Sequence, residues 1–387
     1  MEFPKLDNKY FHWYNYFQQM LKMVIIMKYE QLENKAEKAL LTCLADVPFV
    51  SIKKVEKMPL NDWADMRVKL KLPDGDLFLI VEVKSNGQPR LVRDAINQLL
   101  RYKNALPNSY PVLIAPYISP QSAEICVNEG VGYVDLAGNC RLSFGQVYIY
   151  KEGKANPFNY KRDLRSLYSP KATRVLRVLL SNPGREWKMQ ALADEAKVSL
   201  GQVANVKSLL ADREWLNFNM NGLLLNKPEQ LLFEWAENYD FRRNQVHDFY
   251  SLKSVNEIEY ELARICDMKK IEYVLTGFSG AARMAPAARY QRVTAYVRQE
   301  AIENLALQMN LKKVSSGGNV SLLVPYDDGV FYGAKNYDWV KVATPIQVYL
   351  DLRGIRGRGE EAASVLLEEV IKLQWCHTHR LYSRCMR

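Results

Sequence analysis

At 387 residues the chain has room for two or three domains. A 48% hydrophobic and 25% charged composition is that of an ordinary globular protein, which excludes a disordered or fibrous one. A formal charge of +10 favours a polyanionic partner. No run reaches the ~18 uninterrupted apolar residues of a membrane span, since MLKMVIIMK is short and broken by Lys22.

Residues 1–27 read as an N-terminal extension. FHWYNYFQQM is aromatic and irregular, without a signal-peptide cleavage pattern. It is either an upstream extension of a start nearer Met27 or a packing or dimer segment. Residues 29–45 then read as a helix, with Glu33 and Glu37 on one face.

The segment WADMRVKLKLPDGDLFLIVEVKSNGQPR reads as a hairpin about Asp74-Gly75. Folded there, Asp65 falls opposite Lys84, and Arg67 opposite Glu82. Glu82 and Lys84 share a face, joined by Asp65 across the ladder. Two hard carboxylates, Asp65 and Glu82, suit magnesium (Mg²⁺, or Mn²⁺), and Lys84 suits the charge of an attacked phosphodiester. The bland alternative is an exposed hairpin face with mixed charges. SNGQPR is a loop, and 91–103 an amphipathic helix with Gln98 and Tyr102 four apart on one face. A strand (110–117), a helix capped by Ser119 and Pro120, and two more strands (131–150) follow.

This order and these residues resemble the PD-(D/E)XK restriction-endonuclease-like family over residues 28–152. The resemblance implies an α/β/α fold in which Asp65 and Glu82 bind metal and Lys84 helps to activate water. It further implies an assisting glutamate on the first helix, Glu37 or Glu33, and the Q-x-x-x-Y pair Gln98 and Tyr102. Ala64 stands where the family has Pro. Such domains also serve as inert binding modules.

Residues 153–168 are a polar, basic linker. Over 169–227 three helices precede a hairpin at Asn221-Gly222, the pattern of a winged helix-turn-helix. Ser169 and Pro170 start the first helix and Ser199 caps the third. On the third, Val203, Val206 and Leu210 face the core, leaving Gln202 and Asn205 for base edges. Arg174, Arg177, Arg185 and Lys207 are candidate phosphate contacts, and 161–215 holds eleven Lys/Arg against six Asp/Glu. The expected partner is double-stranded DNA; the competing reading is a protein-docking module.

Residues 228–375 read as a C-terminal α+β domain. A strand over 272–286 carries Gly277-Phe278-Ser279-Gly280, which suggests a nucleotidyltransferase-like fold. The next strand, Tyr290 to Tyr296, has no acid, so the fold is degenerate and transferase activity is not expected. Asp327 and Asp328 are turn residues. Residues 317–332 and 345–362, and less sharply DLAGN at 135–139, resemble the AbiEi antitoxins of type IV toxin–antitoxin systems. That resemblance implies repression of its own promoter and a nucleotidyltransferase-type toxin as partner. The six cysteines show no paired spacing and suit reduced, buried thiols in a cytoplasm. In the basic tail 376–387, Cys376, His377, His379 and Cys385 fit no common zinc spacing. The first expectation is metal-dependent DNA hydrolysis directed by a winged helix. The alternative is an antitoxin-type autorepressor with a non-catalytic nuclease-like domain. A homodimer is a further expected partnership.

Overall fold

The computed structural model describes residues 29–58, 64–154, 156–157, 167–219, 222–286, 289–355 and 357–376. The N-terminal extension, most of the expected linker, and His377, His379 and Cys385 lie outside these residues. The chain forms two compact units, 1–159 and 160–387.

In the first unit, α1 (29–44) and β1 (Ser51–Lys57) precede β2 (Met66–Leu72) and β3 (Gly75–Val83). Then come α2 (Pro89–Ala105), β4 (Ser109–Ala115), α3 (Pro120–Asn128), β5 (Gly132–Asp135), β6 (Cys140–Phe144) and β7 (Val147–Lys151). The seven strands lie side by side in chain order. β3, β4 and β5 are parallel and the outer pairs antiparallel. Alternation along β2 and β3 sends Met66, Val68, Leu70, Leu79, Val81 and Val83 to one core with Ala36, Leu40 and Leu44 of α1. Ile80 packs on the other face with Val92, Ile96 and Leu99 of α2. The layers are helix, sheet, helix.

Three details depart from the sequence reading. The β2–β3 hairpin pairs Leu72 with Gly75 and Met66 with Val81, two residues off the expected register. Pro73 and Asp74 take the corner, where the fixed φ of Pro suits a turn, and Gly75 follows at φ +134. A two-residue slip preserves the faces but brings Asp65 level with Glu82 rather than Lys84. Arg67 therefore pairs with Ile80, and its guanidinium bonds Glu56 at 2.9 and 2.6 Å. β1 was not anticipated, because SIKKVEK alternates poorly. Finally, 131–150 gives three strands rather than two, turned at Gly138 (φ +101) and Gly145 (φ +51). In the first of these turns Asp135 accepts bonds from the Asn139 backbone and side chain, both 2.8 Å.

The second unit opens with α4 (Pro170–Ser181), α5 (Met189–Ala196) and α6 (Leu200–Asp212), then β8 (Leu216–Asn219) and β9 (Gly222–Leu225). Trp187 bridges to Leu223, adding a one-residue third strand beside β9. Asn221 lies outside the described residues. After α7 (Pro228–Asn238), the strands β10 (Gln245–Tyr250), β11 (Tyr273–Leu275), β12 (Val293–Val297), β13 (Lys312–Lys313), β14 (Val320–Val324), β15 (Lys335–Tyr337) and β16 (Val340–Val342) form a mixed sheet. Its order is β13-β10-β14-β12-β11-β16-β15. The intervening helices are α8 (Val255–Lys269), α9 (Gly277–Met284) and α10 (Ile302–Gln308), with α11 (Pro345–Arg353) and α12 (Arg358–Leu366) after the sheet. The strand expected over 272–286 stops at Leu275, and Gly277-Phe278-Ser279-Gly280 begins α9. Gly277 takes φ +55, which permits the abrupt strand-to-helix change.

One hydrophobic cluster runs from Leu176, Trp187 and Val206 through Trp235 to Leu322, Val342 and Leu350. The expected boundary at 227/228 thus falls inside a single core. Polar groups cross it too, as the Arg177 guanidinium donates to Gln347 at 2.5 Å. Gln347 in turn donates to the buried Asp351 (3.0 Å), which also accepts from Tyr239 (2.6 Å), Tyr296 (2.9 Å) and Thr276. The Trp375 indole donates to the Leu180 carbonyl at 2.8 Å, tying the last described turn back to α4. Among the described residues no helix is long and apolar enough to cross a membrane. Cys43, Cys126, Cys140 and Cys266 are buried free thiols, and Cys376 is exposed.

Candidate functional site

Parallel sheets tend to bind ligands beyond the carboxyl ends of their strands. Glu82 and Lys84 lie at that end of β3. The Asp65 backbone N–H donates to the Val81 carbonyl (3.1 Å), and its Oδ2 accepts from the Val83 N–H (2.6 Å). The Tyr29 hydroxyl, from the start of α1, lies 2.9 Å from Asp65 Oδ1 and 3.2 Å from the Val83 carbonyl. Lys84 Nζ lies 2.6 Å from Glu82 Oε1. Glu82 is only 3% exposed, and its buried Oε2 has no hydrogen-bond partner.

The electrostatics follow from this crowding. Burial raises the Glu82 pKa above the usual carboxylate range; the bond from Lys84 opposes the rise and the Asp65 charge adds to it. Burial and Asp65 likewise raise Glu33, against the pull of Lys57. Burial, then Asp65 and Glu82, push the Tyr29 hydroxyl up, which keeps it a proton donor. Glu33 is thus the first-helix acid that senses Asp65, whereas Glu37 pairs with Lys57 at 3.2 Å. Gln98 donates to the Tyr102 hydroxyl at 2.7 Å. Tyr102 lines a cavity together with Ile80, which shares the Glu82 face of β3.

Among the described residues no three His, Cys, Asp or Glu side chains form a metal-binding group. Two adjacent carboxylates, one with an unpartnered buried oxygen, still fit a small hard cation that keeps most of its waters. Tyr29 was missed in the sequence because no spacing rule links it to Asp65; only the packing of α1 does.

In the second unit Ser199 caps α6, accepting from the Gln202 N–H at 3.3 Å. Val203, Val206 and Leu210 are buried, as their spacing requires. Asn205 is exposed, Gln202 and Lys207 are half-buried, and Leu200 is exposed beside the cap. Arg185 is exposed and its guanidinium lies 3.8 Å from the Trp187 ring centroid. Two expected phosphate contacts point elsewhere. Arg177 is 1% exposed, bonds Gln347 at 2.5 Å and stacks on Trp235 at 5.0 Å. Arg174 pairs with Asp327 at 2.9 Å. Asp327 also caps the turn at Gly329, 2.8 Å away, in the turn role read from sequence. Both arginines face inward because α7, α11 and the turn after Asp327 cover α4 on that side.

Residues 224–372 match the family described as "Transcriptional regulator, AbiEi antitoxin, Type IV TA system". No curated protein matches the chain. Two solved structures are similar over 26% of the chain. "Structure of EndoMS in apo form" is 19% identical, covered over 45% of its length, with a TM-score of 0.20. "Crystal structure of a repair endonuclease from Pyrococcus abyssi" is 15% identical, covered over 46%, with a TM-score of 0.19. The chain spans less than half the length of either, and neither likeness bears on activity.

Proposed function

We propose that the protein is a DNA-binding transcriptional regulator of the AbiEi antitoxin type, reading double-stranded DNA through a winged helix formed by α4–α6 and the β8–β9 hairpin. The observation that carries this is the family match over 224–372, in the same core as α6. The N-terminal end of α6, with Ser199, Gln202 and Asn205, enters the major groove, and Arg185 and Lys207 hold phosphates. The partner implied by the family is a nucleotidyltransferase-type toxin. Footprinting on duplex DNA upstream of the protein's own gene tests the reading. A discrete footprint is expected, and loss of Gln202 and Asn205 together relaxes its sequence preference, each amide being worth ~1–3 kcal/mol. A footprint equally sharp in the double variant sinks this recognition helix.

A second reading is favoured by the unpartnered Glu82 Oε2 beside Lys84. Here the first unit is a PD-(D/E)XK-type domain that hydrolyses phosphodiesters, with Asp65 and Glu82 holding Mg²⁺ or Mn²⁺. When bound, the cation acidifies a water and neutralises phosphate charge. The chain supplies the rest. Tyr29 fixes the Asp65 carboxylate, and Lys84, held by Glu82, offers its ammonium to the charge developing on the phosphate. Plasmid nicking with either cation is expected to fall ~100-fold or more in Lys84→Ala. Equal nicking by both proteins rejects the assignment, and no nicking by wild type leaves the domain a binding module.

A further inference from the structure

The first unit contains a cavity of ≈ 320 Å³ that no step above uses. We propose that it receives one unstacked nucleobase of the strand to be cut, so that the preferred substrate is single-stranded or locally unpaired nucleic acid. This rests on the phosphodiester reading of Asp65, Glu82 and Lys84.

Position is the first argument. Ala64, which lines the cavity, immediately precedes Asp65. Ile80 lines it too, two residues before Glu82 on the same face of β3. The rise of a strand puts those two side chains about 7 Å apart. A strand of nucleic acid with its phosphate at Glu82 and Lys84 therefore brings a neighbouring base over the cavity.

Chemistry is the second. The cavity's size sits at the low end of small-ligand pockets, ~300–1,000 Å³. Met58, Ala64, Ile80 and Leu106 give it apolar walls suited to the flat face of a base. Arg67 and Tyr102 bring polar groups for base edges. Arg67 is oriented by its two bonds to Glu56 and by the Phe78 ring, 5.6 Å away. Beyond it, Lys69, paired with Asp76, and the exposed Lys54, paired with Glu56, lie on the neighbouring strands, where a phosphate of the adjoining backbone could compete for them. A base still paired in a duplex would first have to be extruded, which costs a few kcal/mol.

The test uses the full chain and an end-labelled single strand, intact or with one abasic site moved stepwise along it. In wild type, an abasic site next to a bond is expected to slow cleavage of that bond at least tenfold. Ala105→Trp, substituted at an exposed position that also lines the cavity, fills it from outside. It should lose the same tenfold on the intact strand and match wild type on the abasic one. Ala105→Leu gives a smaller filling and an intermediate effect, and unchanged melting of either variant excludes misfolding. Equal cleavage of intact and abasic strands by wild type overturns the proposal. If wild type cuts neither, the phosphodiester reading has failed, and fluorescence anisotropy with the same strands decides the pocket. Tenfold weaker binding of the abasic strand, abolished in Ala105→Trp, sustains it; equal affinities overturn it.

Discussion

Glu82 carries a cost that can be measured. Its pKa in the folded chain is raised by burial, so the folded state holds the proton to higher pH than the unfolded state does. Stability contributed by this residue is therefore intact below the ordinary glutamate pKa and falls as pH rises to the elevated value. Glu82→Gln removes that loss. The variant's Tm is expected to exceed that of wild type at pH 8, with the gap closing on acidification below pH ~4. Parallel curves across that range would show that Glu82 is not held in a desolvated site. The grouping of Asp65, Glu82 and Lys84 was legible because faces alternate along a strand whatever the exact pairing. The register was not, since Asp74-Gly75 signals a turn one residue away from the corner actually used. Tyr29 was invisible for another reason: its bond to Asp65 spans 36 residues, and no local pattern encodes that.

Helix α4 shows how an element can mislead. Its arginines suggested a phosphate-binding face, yet Val175, Leu176, Val178, Leu179 and Leu180 are all buried, which marks a helix enclosed on most sides. That all-round apolar pattern was the available signal. Arg177→Ala is expected to destabilise the second unit by about 2–5 kcal/mol, by cavity formation and loss of the Gln347 and Trp235 contacts. Arg177→Met should cost less, because it refills the space and removes a cation whose Nε and Nη1 have no partner. Denaturant melts rank the two; a Met variant no more stable than the Ala variant would mean that volume is not what the site lacks. Arg185→Ala should leave stability nearly unchanged while weakening DNA binding uniformly across sequences and lowering the salt slope by about 1. The α6 face was readable because its cap and its 3–4 spacing agree.

At the scale of the molecule, the sequence marked one strong division and one that the packing erases. Residues 160–387 produced alone are expected to fold and to bind the same duplex within a few-fold of the full chain, since that unit has its own core. Residues 169–227 alone are expected not to fold, because Leu176 and Trp187 share that core with Trp235 and the sheet beyond it. Circular dichroism and footprinting of the two pieces check both statements, and a folded, cooperative short piece would contradict the second. The boundary near 228 looked natural because a hairpin ended and a Pro-initiated helix began. Local signals mark where elements stop, not which elements share an interior.

That shared interior constrains how such a protein can diversify. Recombination that traded α4–α6 and the β8–β9 hairpin alone would leave Trp235 without its lining and Gln347 without Arg177. Recombination between residues 150 and 166 would cut none of the three hydrophobic clusters. On the proposed DNA-reading role, new operator specificity would therefore be inherited together with the C-terminal sheet, as one cassette, while the N-terminal sheet could be gained, lost or replaced.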